Sequence, residues 1–546
     1  MAGKVDLAGL DSSQTYDRFI VGYRNGTPEQ KNVANAKESL ARAAVTNVGG
    51  KAVALKHLRR MGIGSDVVRA GRKLDAAEAA SLMRQIAADP DVDYVEVDRR
   101  VHAFLTPNDP LYLPRQWDLY KAWGIRADKA WDVTQGAGTV VAVIDTGITS
   151  HSDLNANILP GYDFADITVS NDGDGRDSDP SDPGDWVAAN QCGGSHPAHK
   201  SSWHGTHVSG TIAALTNNGR DVAGVAHAAK VVPLRALGTC GGYDSDIADA
   251  ITWAAGGSVP GIPANPFPAE VINLSLGGEG ACGTTTQSAI NGAVGLGSTL
   301  VIAAGNDNAN TAGFSPANCN KVIAVASTTS TGAKSDFSNY GPNVDVAAPG
   351  SRIISTVNTG LTTPVAETVA IYDGTSMASP HVAGVAALIQ SVAPWPKTPA
   401  QVEEIIKCTA TSFPATPPQS IGTGIVNAEL AAKVAMAAPL SVSGNVGSVI
   451  APQTVGVRTA AVPGPGNASC KTQVLVSFSP MGSTPTQLEL VAPDGSVYQL
   501  QAGFGTVGQP YTLNLSNEAR AGTWQLRVNN ASTMPATLAS WGISFN

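Results

Sequence analysis

The chain has 546 residues, of which 14% are charged and 5% aromatic, with 58 glycines and a formal net charge of −9. That length exceeds what one hydrophobic core sustains and predicts about three or four domains, while the scarcity of charge and abundance of small residues suit close packing of helices on a large α/β sheet. The acidic balance excludes nucleic acid and anionic membrane as main partners, since both reward clustered Lys and Arg, and no apolar run reaches the roughly 18 to 20 residues that cross a bilayer.

Residues 1–13 lack the basic and apolar stretches of a secretory leader, so a secreted protein is expected here without its leader. Residues 14–104 read as a small α+β domain. Tyr16 to Tyr23 is extended, Leu74 to Ala88 is an amphipathic helix, and Val92 to Val97 alternates apolar and acidic. The domain ends in Asp98-Arg-Arg-Val-His-Ala-Phe104. A turn-rich linker follows at Thr106-Pro-Asn-Asp-Pro110, a place where a precursor would be cut.

Residues 105–440 alternate apolar strands with helical patterns: Thr139 to Asp145, Val231 to Leu234, Val271 to Leu276, Leu300 to Ala304 and Val322 to Val325. Strands that are apolar along their whole length and separated by helices indicate a doubly wound, mostly parallel sheet covered on both faces. Functional groups in such sheets gather at the carboxyl ends of strands, where Asp145 sits and Asn306 follows. Residues 441–546 change to short alternating segments, Gln473 to Phe478, Gln487 to Val491 and Thr523 to Val528, bounded by turn residues, which predicts a β-sandwich.

Three segments carry chemistry. In Gly374-Thr-Ser-Met-Ala-Ser-Pro-His-Val-Ala-Gly384, Ser376 opens a helix of small residues whose N-terminus favours negative charge. Alone it also reads as an ordinary N-cap, the lesser of the two readings, and a serine hydroxyl is a weak nucleophile unless a base removes its proton. Trp203-His-Gly-Thr-His-Val-Ser-Gly210 offers His204 as that base. His204 and His207 are also spaced as a metal pair, but no third ligand follows at metalloprotease spacing. Val141-Ala-Val-Ile-Asp-Thr-Gly147 ends a buried strand on Asp145, an orienting acid or a turn aspartate. The order Asp, His, Ser is that of the subtilisin-type triad.

On these motifs the stretch from Asp145 to Ala435 resembles the subtilisin family. The resemblance implies a serine endopeptidase with Asp145 as orienting acid, His204 as general base, Ser376 as nucleophile and Asn306, in Ala303-Ala-Gly-Asn-Asp307, as side-chain oxyanion donor. Asn273-Leu-Ser-Leu-Gly-Gly278 resembles the family's substrate-binding edge strand. Ser275, Leu276, Gly277, Ala303, Ala304, Gly305 and Gly313 then line the specificity pocket. More weakly, residues 14–104 resemble an inhibitor-type propeptide of ferredoxin-like fold, and residues 441–546 the P domain of proprotein convertases. The expected partners are polypeptide substrates and the chain's own propeptide, with no nucleic acid and no membrane, and the enzyme is expected to be secreted and monomeric.

Calcium is the expected structural cofactor. Asp153 and Asn218 match calcium-binding positions of subtilisins, with the loop around Asn218 one residue longer than in the family. The segment around Asp172, Asp174 and Asp177 alternates oxygen donors with glycines, which suits Ca²⁺ or a solvated acidic loop. An even number of widely spaced cysteines favours disulfides. Cys192 and Cys240 flank the His204 helix, Cys282 and Cys319 lie beside the expected pocket, and Cys408 and Cys470 remain as an interdomain bridge or two thiols. Two other functions use the same sequence: a catalytically silent scaffold, and an esterase with the same triad.

Overall fold

The computed structural model describes residues 4–5, 10, 15–43, 47–48, 51–99, 106–193, 196–446, 449–478, 486–501, 510–531 and 533–545. The expected propeptide tail at 100–105 lies outside them. The chain divides into two units, Phe104–Met436 and a second made of Met1–Ala103 with Ala437–Asn546.

In the larger unit the apolar runs become the strands of one sheet. In chain order its elements begin β1 (Val140–Asp145), β2 (Tyr162–Asp163), α1 (His204–Ala213), β3 (Lys230–Arg235), α2 (Asp244–Ala254) and β4 (Val271–Leu274). They continue β5 (Gly278–Glu279), α3 (Thr284–Gly295), β6 (Thr299–Ala303), β7 (Phe314–Ser315), β8 (Ile323–Thr328) and β9 (Val346–Pro349). The unit closes with β10 (Ile353–Asn358), β11 (Glu367–Tyr372), α4 (Thr375–Val392), α5 (Pro399–Thr409) and α6 (Ala428–Ala435). Seven strands pair in the order β9-β8-β6-β4-β1-β3-β2, every pair parallel.

Both faces are covered, which is why the strands carry no polar alternation. Ala142, Ile144, Val232, Leu234, Ile272 and Ile302 form one core with Ile251 and Trp253 of α2 and Ile290 of α3. The opposite face is packed by α1 and α4. Every side chain from Val141 to Ile144 is buried; at about 1.5–3 kcal/mol for each fully buried large aliphatic, the central strand is a strongly held platform. The expected strand Val271 to Leu276 stops at Leu274. Ser275 to Gly277 leave the sheet and lead into β5, which pairs antiparallel with β7 as a short separate ladder. A hairpin of β10 and β11, which the sequence did not signal, packs beside α1.

The N-terminal domain has four antiparallel strands in the order 55–60, 66–74, 16–23, 92–97, with helices Val33–Ala43 and Ala76–Ala87 contributing to one core. Numbered along the chain this is the 4-1-3-2 order of a ferredoxin-like fold. Its second helix begins on a capping box between Asp75 and Glu78, which satisfies two otherwise free N–H groups. The C-terminal domain holds two four-stranded sheets, with Trp524 and Trp541 buried in its core.

Candidate active site

The site assembles at the carboxyl ends of β1, β4 and β6. Asp145, the last residue of β1, is fully buried. Its Oδ1 accepts from the Thr146 N–H at 2.8 Å and lies 2.8 Å from His204 Nδ1, while Oδ2 has no partner among the described residues. The approach that makes this possible is a contact between glycines: a Cβ on Gly205 would fall 2.2 Å from the Gly147 carbonyl oxygen, so the start of α1 can seat on the loop after β1 only without side chains there. The His204 side chain keeps 22% exposure. Burial by itself favours its neutral ring, but the Asp145 carboxylate, by charge and hydrogen bond, with help from Asp185 and Asp182, raises His204 above its ordinary 6.5.

His207, three residues on, belongs to the core. It is fully buried, Nε2 lies 3.2 Å from the carbonyl oxygens of Ile353 and Ala370, and its ring stacks on Tyr372 at 4.5 Å. Burial pushes it down to about 3, so it stays neutral. Among the described residues no third His, Cys, Asp or Glu joins His204 and His207 as a metal site.

Ser376 occupies the first turn of α4, which packs against α1. Pro380 lies four residues later inside the helix. Proline has no N–H, so the Ser376 carbonyl loses its helical donor; the Ser275 hydroxyl replaces it at 2.8 Å. The Ser376 hydroxyl in turn donates to the Ser275 carbonyl at 3.1 Å, and in this state not to His204. Behind Ser275, Asn273 Nδ2 donates to its hydroxyl oxygen at 3.0 Å, and Ser379 of α4 donates to Asn273 Oδ1 at 2.8 Å. The end of β4 and the first turns of α4 are thus joined by a buried polar chain.

Asn306 is oriented by Thr375. Its Oδ1 accepts from the Thr375 N–H at 2.8 Å and hydroxyl at 3.0 Å, and its Nδ2 has no hydrogen-bond partner among the described residues. The loop carrying it is stapled by Asn339, a residue with no signal in the sequence. Asn339 Oδ1 accepts from the N–H groups of Asp307 and Ala309, both at 2.9 Å, and its Nδ2 donates to the Ala304 carbonyl at 3.0 Å.

A cavity of about 430 Å³ opens beside these groups, lined by Ser275, Leu276, Gly277, Ala303, Ala304, Gly305, Asn306, Thr375 and Ser376. Gly313 is not among its lining residues. Phe314 and Ser315 of β7 face the cavity instead, with Glu279 and Asp307 adding carboxylates. Cys282 and Cys319 are disulfide-bonded with Cα atoms 5.1 Å apart, just beyond the β5–β7 ladder. Cys192 and Cys240 are bonded as well, and no described cysteine is a free thiol.

Asp153 is fully buried; Oδ1 accepts from Asn218 Nδ2 at 2.6 Å and Oδ2 from the Val222 N–H at 3.0 Å. With no ion-pair partner for it among the described residues, burial pushes it up to about 6. Asp172 shares the guanidinium of buried Arg235 with Asp163, and Asp174 N–H donates to Asp172 Oδ1 at 3.3 Å. Among the described residues no three His, Cys, Asp or Glu side chains are grouped to hold a metal.

Residues 136–424 match the model of the subtilase family, and residues 471–545 that of the proprotein convertase P domain. This chain belongs to the subtilase family. It is 58% identical to an "Extracellular protease" of Xanthomonas campestris pv. campestris over 80% of this chain and 76% of that protein. It is 38% identical to an "Extracellular basic protease" of Dichelobacter nodosus over 97% and 92%. A solved protease structure from Pseudoalteromonas arctica is 57% identical, covers 61% of this chain and 100% of its own, and superposes with a TM-score of 0.59. The subtilase is thus a serine protease of this family, with a subtilisin-like sheet and a P-domain-like C-terminal region.

The Cys282–Cys319 bond closes a separation of 37 residues, for which the chain-entropy model gives about 4 kcal/mol. Replacing both residues by serine is expected to lower the unfolding midpoint and to reduce kcat/KM for long peptides by roughly 10²-fold, because a loosened pocket wall misplaces the substrate. Peptide mapping under non-reducing conditions, followed by kinetics on the double variant, checks both.

Proposed function

We propose that this subtilase is an extracellular endopeptidase, made as a self-processing precursor, that cleaves polypeptides with Asp145, His204 and Ser376 as triad and Asn306 as oxyanion donor. The observation that carries the reading is the buried Asp145 carboxylate 2.8 Å from His204 Nδ1, on a helix packed against the one that Ser376 opens. Residues 1–13 precede the propeptide, with Val5 bridged to Val95 and Leu10 buried in its core; 14–104 are the propeptide, 105–440 the catalytic domain and 441–546 the P-domain-like module. The relatives' names and the disulfides favour an oxidising, extracellular setting.

In the reaction, an extended peptide pairs its main chain with the edge beyond β4 at Ser275 to Gly277. Engagement of the Ser275 carbonyl by substrate releases the Ser376 hydroxyl, which turns to His204. His204 Nε2 takes the proton as Ser376 Oγ attacks the scissile carbonyl, and Asp145 stabilises the imidazolium so formed. The oxyanion is held by Asn306 Nδ2, whose direction is set by its bonds to Thr375, and by the Ser376 N–H. One such donor is typically worth about 10²- to 10³-fold in rate. His204 returns the proton to the leaving amine, and water then hydrolyses the acyl-enzyme. The side chain before the scissile bond enters the 430 Å³ cavity.

Ser376→Ala is expected to abolish caseinolysis and to leave the full-length chain uncut, because the same nucleophile removes the propeptide. Intact mass and N-terminal sequencing of the purified variant check this; efficient maturation without any other protease overturns self-processing.

The base must be neutral to act, and its folded pKa is raised. Activity is therefore low on the acid side and rises through a limb above 6.5. In Asp145→Asn the raising charge is gone and burial remains, so the limb should move to lower pH while kcat drops by roughly 10⁴-fold. A kcat/KM profile from pH 5 to 10 on both proteins measures it.

Calcium is the structural cofactor we propose. Asp153, a buried carboxylate without a countercharge, would hold one ion with Asn218, whose amide now donates its Nδ2 to Asp153 and would turn its oxygen inward to bind; Asp172, which already has the Arg235 guanidinium, would hold a second with Asp174 and Asp177. Excess chelator should lower the melting temperature and Ca²⁺ restore it, by about 2.7 kcal/mol with the ion at 100 times its dissociation constant. Calorimetry with elemental analysis tests this; an unchanged melting temperature and no bound metal reject it.

A further inference from the structure

The acidic segment that precedes α1 ends in Ser181-Asp-Pro-Gly-Asp185, and this part of it does not face solvent alone. It runs beside the loop after β1: the Ile148 N–H donates to the Pro180 carbonyl at 3.0 Å, and the Asp182 N–H to the Ile148 carbonyl at 2.9 Å. Asp182 is 2% exposed. Its Oδ2 accepts from the Thr146 hydroxyl at 2.8 Å, and that hydroxyl oxygen accepts from the Gly205 N–H at 3.0 Å. Thr146 follows Asp145, and Gly205 follows His204.

A second carboxylate makes the equivalent connection one residue earlier. Asp185 accepts from the Ser202 N–H at 2.6 Å and from its hydroxyl at 2.7 Å, and the Ser202 hydroxyl oxygen accepts from the His204 N–H at 3.3 Å. These bonds matter because α1 has no ordinary cap. Its N-cap residue is Trp203, in the left-handed region at φ 52°, which provides no capping oxygen. The first two N–H groups of the helix, those of His204 and Gly205, would otherwise be unsatisfied. Each is met by a hydroxyl that a carboxylate backs, and negative charge at a helix N-terminus is favourable in its own right. The turn that presents both carboxylates admits only glycine at its centre: Gly184 has φ 109°, and a Cβ there would lie 1.9 Å from the Thr362 carbonyl oxygen.

We infer that Asp182 and Asp185 are positioning residues of the proposed catalytic base, holding the start of the His204 helix through Thr146 and Ser202. The inference rests on His204 acting as the base. The titratable and charged groups that bear on His204 are Asp145 from β1, Asp182 and Asp185 from this segment, and His207 from its own helix, which stays neutral; burial pushes Asp182 up to about 7, so it loses its own charge on the acid side.

Two variants of the full chain test this. Asp182→Asn with Asp185→Asn removes both charges and leaves one acceptor oxygen in place of two at each site, where Asp182 accepts from Thr146 and the Gly184 N–H and Asp185 accepts twice from Ser202. The acid limb of kcat/KM should move down by about half a pH unit or more, with KM within about twofold. Thr146→Val keeps the charges and breaks the relay to Gly205; kcat should fall about tenfold or more with little change in KM, and Thr146→Ser should restore it. A segment that merely stabilises the fold would lower the melting temperature of these variants and leave both kinetic quantities in place. The inference is overturned if the limb and kcat are unmoved in the folded variants. If the double Asn variant does not fold, Thr146→Val against Thr146→Ser decides alone, an unchanged kcat rejecting the inference. Failure of the triad reading is recognised separately, by a parent enzyme that cleaves no peptide or by a Ser376→Ala protein that still does. The His204 ring resonance, titrated by NMR in Ser376→Ala and assigned by its loss in His204→Gln, reports the same downward shift on removing both charges without any need for turnover.

Discussion

A carboxylate sealed at the end of a central strand is the constraint on which the site depends. Asp145 has no access to water, and an unpaired charge in such surroundings costs several kcal/mol. Its compensation has to come from elements that arrive later in the chain. His204 reaches it 59 residues on, and does so because Gly205 has no side chain to meet the Gly147 carbonyl just past the strand end. The same proximity that compensates a buried charge makes the imidazole more basic, so one contact serves folding and, in the proposed mechanism, proton transfer.

The Ser376 side of the site is governed by the opposite problem, an acceptor deprived of its donor. Pro380 takes an N–H out of α4, and Ser275 fills the vacancy at the Ser376 carbonyl. The helix that opens on Ser376 is therefore bolted to the end of β4 by side-chain hydrogen bonds as well as by packing. Because Ser275 also belongs to the cavity wall, the proposed nucleophile and the proposed substrate edge share one residue, and a displacement of either is felt by the other. Asn306 is held in the same manner from two directions, by Thr375 on α4 and, through its loop, by Asn339.

Charge inside the acidic segment is handled by arginine more than by solvent. Arg235, the last residue of β3 and in register with Asp145, is buried and engages both Asp163 and Asp172; Arg176 joins Asp246 and Asp249 of α2. Buried pairs of this kind add little net stability but are costly to break on one side. They fix the path of the segment, and that path is what delivers Asp182 and Asp185 to the start of α1.

The sheet, its parallel sense and the strand-end position of Asp145 were legible from local pattern alone, since uninterrupted apolar runs between helical periods have few other packings. The motifs around His204 and Ser376 were legible for the same local reason: glycines and small residues at a helix start mark close approach of backbone. Asn339, Ser275 as a hydrogen-bond partner, Phe314 in place of Gly313 at the cavity and the Asp182–Thr146–Gly205 connection were not. Each depends on groups tens of residues or more apart, up to 101 between Ser275 and Ser376. A polar side chain that will be buried against such a partner has the same local sequence signature as one that stays in water. Sequence determined which chemical groups this protein carries and on which elements; only the tertiary structure decided which distant polar groups share a desolvated site, because that follows from how the chain crosses over its sheet.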